Sequence, residues 1–149
     1  MRFDAVRGML GRRGGGMRDI LFRGKRVEND DWVYGDLIHE PWGDCIQVME
    51  KDNINTFKRT KYTVHKETVG QYTGLTDKNG VKIFEGDIVK ITDKYGKSVV
   101  YVVEFYMGAF ALRRMDVEYR LQFIDFPLRY YDFEIIGNIH DNKEILDAE

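Results

Sequence analysis

Short stretches of alternating apolar and polar residues, separated by turn residues, run through the chain from residue 20 onward. Such alternation predicts β-strands that each have one buried face. In the first half, the polar turn 28–31 separates two of these stretches and predicts a hairpin. Residues 51–59 are polar and predict a loop or a short strand, and residues 65–68 predict one helical turn. The predicted strands of this half are 20–27, 32–38, 45–49 and 62–64, and the stretch 71–75 that follows is left unassigned.

The second half has sharper turn signals. Asn79-Gly80 is the strongest of them, because both residues tolerate the positive φ of a tight turn. Met107-Gly108 predicts another hairpin, and Gly137 a bulge in the closing strand. Residues 115–126 fit helical and strand spacing equally well and are predicted as a mixed segment or short helix. The predicted strands of this half are 81–84, 88–92, 99–106, 109–113 and 130–139.

The pattern as a whole predicts a mainly β protein, or more broadly a β-rich α+β protein. Residues 76–146 are expected to form a small SH3-like barrel by analogy with other short-stranded domains. Residues 17–75 are expected to form a smaller N-terminal β unit packed on that barrel. The chain has 149 residues, which is enough for one domain or for two small units.

Residues 1–16 differ from the rest and are interpreted as a disordered or non-native extension. They contain the flexible run Gly11–Gly16 and no apolar periodicity. Gly and Arg both have purine-only codons, so this run has the character of a translated ribosome-binding site, with Met17 as the expected start. Pyrimidine-rich codons at 11–16 would contradict that hypothesis.

Charge and cysteine content narrow the functional classes. The net charge is -2, and four arginines with one aspartate give residues 1–16 a charge of +3, which leaves about -5 for residues 17–149. An acidic body disfavours broad binding to nucleic-acid phosphates. The single cysteine, Cys45, suits a reducing compartment, and no apolar stretch is long enough for a membrane helix. A cytoplasmic protein is therefore expected.

No residue set predicts catalysis, a cofactor or a metal. The histidines His39, His65 and His140 are far apart and lack metal-binding spacing. Cys45 could pair with a histidine as a nucleophile, but a small core residue is the favoured interpretation. In Glu85-Gly86-Asp87, working carboxylates are weighed against a turn glycine with a turn-bonding aspartate, and the turn is favoured.

Three segments resemble the YopX family of phage and prophage proteins. They are Met17–Lys25 with Trp32–Gly35, Glu67–Gly80 running into Phe84–Val89, and Ile135–Asn142. The resemblance covers residues 17–146. It implies a phage or prophage origin and a bacterial cytoplasmic setting, and it implies no activity. It also agrees with Met17 as the start.

Two functional classes follow. The favoured one is a non-enzymatic protein-interaction module that binds a host or phage protein, with homo-oligomerisation as a further expectation because β edges need cover. The alternative is an accessory nucleic-acid-binding protein, in which arginines and tyrosines of residues 113–131 would stack on bases and contact phosphates. The candidate contact residues are Trp42, Tyr72, Arg113, Arg114 and Tyr130. For Trp42, packing over the barrel mouth is favoured over an exposed contact. For Tyr72, in Gln71–Gly74, a buried position beside a glycine is favoured over a binding loop.

Overall fold

A computed structural model describes residues 18–117, 119–122 and 131–147, with the backbone alone described for 119–122. The chain divides into two compact units, residues 1–72 and 73–149. A 3₁₀ turn spans Lys66–Thr68, and one short helix, α1, spans Lys143–Asp147. The strands are β1 Phe22–Lys25, β2 Trp32–Glu40, β3 Gly43–Lys51, β4 Phe57–Thr63, β5 Gly70–Thr76, β6 Lys82–Phe84, β7 Asp87–Thr92, β8 Ser98–Tyr106, β9 Ala109–Arg114, β10 Tyr119–Gln122 and β11 Asp132–Asn138.

The first unit is an antiparallel sheet in which consecutive strands pair. Its order is β4-β3-β2-β1, and the first residues of β5 pair with β1 through Phe22↔Gln71. Just past β1, Arg26 forms a β-bridge with Val64, which follows β4, so the two ends of the β1–β4 arrangement meet there. Its small core contains Ile46 and Val48 of β3 together with Val64.

The second unit contains a five-stranded antiparallel sheet with the order β10-β9-β8-β7-β11. One face of this sheet carries a core that includes Val89, Tyr101, Val103, Leu112 and Phe133. The opposite face carries Ile88, Val100 and Val102, against which Ile145 and Leu146 of α1 pack. Because both faces of β7 and β8 are covered, their sequences are almost continuously apolar instead of alternating.

The mainly β fold is confirmed, and several local predictions hold with it. Hairpins form around residues 28–31 and at Met107-Gly108, and residues 66–68 form the short turn. The pairing of β11 with β7 shifts register between Ile135 and Gly137, which is the predicted bulge.

Two predictions need correction. The five-stranded sheet is not a closed barrel, because in the described residues β10 and β11 are its two edges and pair only inward. Closure depends on strand tilt and stagger, which residue alternation does not encode. Residues 119–122, predicted as part of a mixed segment or short helix, form a strand, since pairing with β9 through Leu121↔Leu112 decides between the helical and strand spacings that fitted equally well. Residues 123–126 lie outside the described part.

Candidate functional site

The end of the β8–β9 hairpin carries a cluster of exposed apolar side chains. Phe105 is 55% exposed, Tyr106 42% and Met107 84%, and Phe110 is half-buried beside them. We call these four residues the hairpin surface. The turn between the strands is Met107-Gly108, and both residues have positive φ, 50° and 82°. This is the backbone form of a tight two-residue hairpin turn.

Two residues of the hairpin surface, Phe105 and Phe110, extend the core face of the sheet beyond the core. Side chains two residues apart on a strand share a face, so Phe105 continues the row of Tyr101 and Val103, which are buried. Phe110 likewise continues the row of Leu112. Phe105 and Phe110 are cross-strand partners and form a T-shaped ring pair, with centroids 5.3 Å apart and planes at 81°. The two rings thus support each other on paired strands.

Trp42, a candidate from the sequence, occupies the tip of the β2–β3 hairpin. The structure leaves it 70% exposed, with Pro41 beside it in the two-residue turn between Glu40 and Gly43. The sequence had favoured a tryptophan packed over a barrel mouth. That interpretation is wrong, because a side chain at the tip of a two-residue turn projects past both strands.

The other candidate residues are placed differently. Tyr72 is buried, with 8% of its surface exposed, and its backbone N–H donates to the Leu21 carbonyl at 2.8 Å. This matches the structural interpretation of Gln71–Gly74, in which the tyrosine belongs to the core. Tyr130 lies outside the described residues.

Arg113 and Arg114 both contact carboxylates. Arg113 Nε donates to Glu104 Oε2 at 3.2 Å. Arg114 forms a two-pronged pair with Asp116, with Nε–Oδ1 at 2.5 Å and NH2–Oδ2 at 2.8 Å. The hydrogen bonds between them raise the pKa of Arg114 and lower the pKa of Asp116. Two of the arginines proposed for phosphate binding thus already have anionic partners.

The motifs that looked chemical in the sequence stabilise turns. Gly86 has φ 88°, and the buried Asp87 accepts the Phe84 N–H at 2.7 Å, which confirms the turn interpretation of 85–87. Asp77 is also buried and accepts three backbone N–H groups, those of Asn79, Val81 and Ile135. The carboxylates of Asp77 and Asp87 therefore accept hydrogen bonds from backbone N–H groups and stabilise the fold.

The segment 137–142 is a turn of the same kind. Asn138 Oδ1 accepts the N–H groups of His140 and Asp141, and Asn142 Oδ1 accepts the Asn138 N–H at 3.1 Å. A Cβ on Gly137 would lie 2.7 Å from Asn142 Oδ1, so a larger residue would displace this contact. The interlocking side chains direct the chain from β11 into α1.

The residues with catalytic or metal-binding potential are dispersed. Cys45 is buried with 2% exposure, as expected for a core residue. His39 contacts Asp44 at 2.7 Å and His65 contacts Asp30 at 3.0 Å, each at the surface. Within residues 18–117 and 131–147, no three His, Cys, Asp or Glu side chains gather as metal ligands. Across the described ranges, no helix has the length and apolar character needed to cross a membrane.

The hairpin surface was not singled out by the sequence. Phe105, Tyr106 and Phe110 were recognised only as strand residues, because an apolar residue in a strand normally predicts burial. The available signal was length: β8 runs on toward the tip of its hairpin after the buried stretch 100–103 ends. Phe105 and Tyr106, beyond that stretch, are as apolar as the residues within it, but they are exposed.

Comparisons with known proteins agree with the fold. The family model described as YopX protein matches residues 21–147. Among solved structures, the chain is similar to protein EF1440 from Enterococcus faecalis, with a TM-score of 0.55 and 24% identity. That match covers 87% of this chain and 99% of the other. The curated proteins include no match. At this identity, the structural likeness shows the fold alone.

Proposed function

This chain belongs to the YopX protein family, and we propose that it is a non-enzymatic protein-interaction module that binds a partner protein through the hairpin surface. The observation that carries the proposal is the group of apolar side chains at the end of this hairpin, with Phe105, Tyr106 and Met107 exposed and Phe110 half-buried against Phe105. Exposed apolar surface is costly in water and marks interaction sites. Aromatic residues and methionine are also the types enriched in protein interfaces.

The hairpin surface suits binding for a further reason. The aromatic pair of Phe105 and Phe110 sits on paired strands, so little conformational entropy is lost when a partner covers it. Met107 at the tip is unbranched and adapts to irregular partner surfaces. The partner we propose is a host or phage protein, and the proposed setting is the cytoplasm of a bacterium that carries a phage or prophage.

Binding of nucleic acid is the weaker alternative. Its support from the sequence was the mixture of arginines and tyrosines in residues 113–131. Glu104 and Asp116 lie against Arg113 and Arg114, so phosphate would have to displace carboxylates that are already in place. The acidic charge of residues 17–149 adds repulsion.

Affinity capture from host lysate, with and without nuclease, tests the proposal. The baits are the full chain, the double variant Phe105→Ser/Met107→Ser, and the control Tyr95→Ser, which changes another exposed aromatic residue at the β7–β8 turn. We expect one protein to be captured by the full chain and the control, unaffected by nuclease, and lost with the double variant. Capture that survives the double variant would contradict the role of the hairpin surface. Capture that nuclease abolishes would favour the alternative.

The same double variant also tests whether the chain associates with itself through the hairpin surface. Sedimentation of the purified chain and of Phe105→Ser/Met107→Ser shows whether the hairpin surface joins two copies. A dimer that dissociates in the double variant would assign the surface to a second copy of this chain and not to a foreign partner.

A further inference from the structure

Strand β4 forms the outer edge of the first unit's sheet. Its inner side pairs with β3 over the whole strand, from Lys51↔Phe57 to Cys45↔Thr63. At its last residue the outer side is covered, because the Val27 N–H donates to the Thr63 carbonyl at 3.0 Å. From Phe57 to Lys61, no described strand pairs with the outer side. We call this five-residue stretch the β4 edge. Its outward N–H and C=O groups are a template for one more strand.

The side chains of the β4 edge are basic and accessible. Lys58, Arg59 and Lys61 are all exposed. Lys61 Nζ pairs with Glu40 Oε1 at 2.6 Å, and that hydrogen bond raises the pKa of Lys61. In the described part of the chain, Lys58 and Arg59 have no carboxylate within ion-pair distance. Two cations thus flank backbone groups that lack a strand partner.

We propose that the β4 edge binds an acidic, extended peptide segment of another protein, which adds to the sheet as a further strand. Backbone hydrogen bonds would supply the general affinity, and side chains at alternate positions the selectivity, as in other cases of strand addition. Lys58 and Arg59 are the residues that select for acidic side chains. This inference is separate from the hairpin surface and concerns a different strand of a different unit.

The faces of β4 set the pattern of the added strand. Thr60 and Tyr62 bond to Glu50 on one face of the sheet, and Lys58 shares that face because it lies two residues from Thr60. Arg59 lies on the opposite face. An added strand would therefore place one carboxylate near Lys58 and a neighbouring one near Arg59, with directly opposed Cβ atoms about 5 Å apart. The fitting peptide has Glu or Asp on both faces and no proline.

Charge also argues against the other occupants. A second copy that paired β4 with β4 would bring Lys58, Arg59 and Lys61 against the same cations, and opposed like charges destabilise a sheet. A nucleic-acid backbone has no amide groups to pair with a strand, so it would leave the outward N–H and C=O groups of the β4 edge without partners. A peptide strand satisfies both kinds of group.

Fluorescence anisotropy with the full chain provides the test. The probes are a labelled ten-residue peptide that repeats Glu-Glu-Thr-Thr and so carries Glu on both faces of a strand (the Glu–Thr peptide), the same peptide N-methylated at every residue, the matching Lys-Lys-Thr-Thr peptide (the Lys–Thr peptide), and a thymidine decanucleotide. We expect only the unmodified Glu–Thr peptide to bind, because N-methylation removes the donors that strand pairing needs. Each of the other probes should bind at least about tenfold more weakly than the unmodified Glu–Thr peptide.

Variants locate the site. Lys58→Glu/Arg59→Glu should weaken binding of the Glu–Thr peptide by at least about tenfold and should gain binding of the Lys–Thr peptide. Lys94→Glu/Lys97→Glu makes the same charge change at the β7–β8 turn and should bind as the unaltered chain does. Phe105→Ser/Met107→Ser should also retain binding, so this inference and the proposed function fail independently. Circular dichroism checks that each variant is folded.

Four results of the binding experiments would overturn the inference. They are absence of Glu–Thr binding up to about 1 mM, equal binding of the N-methylated peptide, tighter binding of the oligonucleotide, and equal weakening by both charge-reversal variants. The second result would mean that attraction is purely ionic. A dimer in sedimentation that Lys58→Glu/Arg59→Glu abolishes would assign the β4 edge to a second copy and overturn the inference as well.

Discussion

Different kinds of contact stabilise the interior of each of the two units. In the described part of the first unit, the core cluster is small, with Ile46, Val48 and Val64 at its centre. Beside it lies a polar network: Tyr62 donates to Glu50 at 2.5 Å, and the Arg26 guanidinium lies 4.3 Å from the Tyr62 ring centroid. In the second unit, apolar side chains cover both faces of β7 and β8. Substitutions should therefore act through packing in the second unit and through polar pairing in the first.

The largest effect is expected in the second unit's core. Leu112 is completely buried on β9, and Leu112→Ala would leave a cavity between packed side chains. We expect the free energy of unfolding to fall by about 2–5 kcal/mol. Val117→Ala, at a half-exposed turn position, should change it by no more than about 0.5 kcal/mol. Denaturant unfolding of both variants measures the difference, and a loss below about 1 kcal/mol for Leu112→Ala would mean that this core is loosely packed.

Two similar turns in the second unit allow the contribution of a buried aspartate to be compared with that of a more accessible one. Asp77 and Asp93 each accept two backbone N–H groups of their own turn at 2.9 Å. Asp77 is buried and also accepts the Ile135 N–H, at 3.1 Å. Asp77→Ala should cost about 2–3 kcal/mol, since buried donors lose their partner, whereas Asp93→Ala should cost about 1 kcal/mol. Equal costs in denaturant unfolding would show that the Ile135 contact adds nothing.

How much the sequence could predict differs for strands, turns and surfaces. Strands β7 and β8 and the turns at Asn79-Gly80 and Met107-Gly108 were predictable, because β-branched runs and glycine with positive φ are local signals. Open sheet edges and the strand at 119–122 were not, because both depend on pairing between distant residues. Exposure was the hardest property to predict. Trp42 and Phe105 are exposed, although Trp42 was expected to be packed and Phe105 was recognised only as a strand residue, whereas the burial of Tyr72 was predicted.

In the first unit, the polar network around Tyr62 predicts that the free energy of unfolding depends on pH. We expect this effect to be smaller than the losses expected for Leu112→Ala and Asp77→Ala. The hydrogen bond to Glu50, followed by burial, raises the pKa of Tyr62 above its ordinary value of about 10. The folded state therefore favours neutral Tyr62. Its contribution to stability is full below the pKa of the unfolded tyrosine and is lost as pH rises through the folded pKa. Glu50→Gln should bring the pKa of Tyr62 back down.

Ultraviolet titration of tyrosinate measures that shift. The chain has nine tyrosines, so Tyr62 is identified by the difference from Tyr62→Phe, in the unaltered chain and in Glu50→Gln. If Tyr62 ionises at the same pH with and without the Glu50 carboxylate, the polar network is not what holds β3 and β4 together at this position. The first unit would then depend on packing as the second does.

The smallest effect concerns the tip of the hairpin surface, where stability and binding should oppose each other. Met107 has φ 50° and precedes Gly108 at φ 82°, a turn that favours Asn-Gly. Met107→Asn should raise the free energy of unfolding by about 0.5 kcal/mol, because asparagine tolerates this backbone better. The same change removes an 84% exposed apolar side chain and should weaken partner capture. Met107→Ala separates the two, because it should weaken capture without raising stability. If Met107→Asn stabilises the chain and capture is unchanged, the methionine is not a contact residue, and the hairpin surface reduces to its aromatic pair.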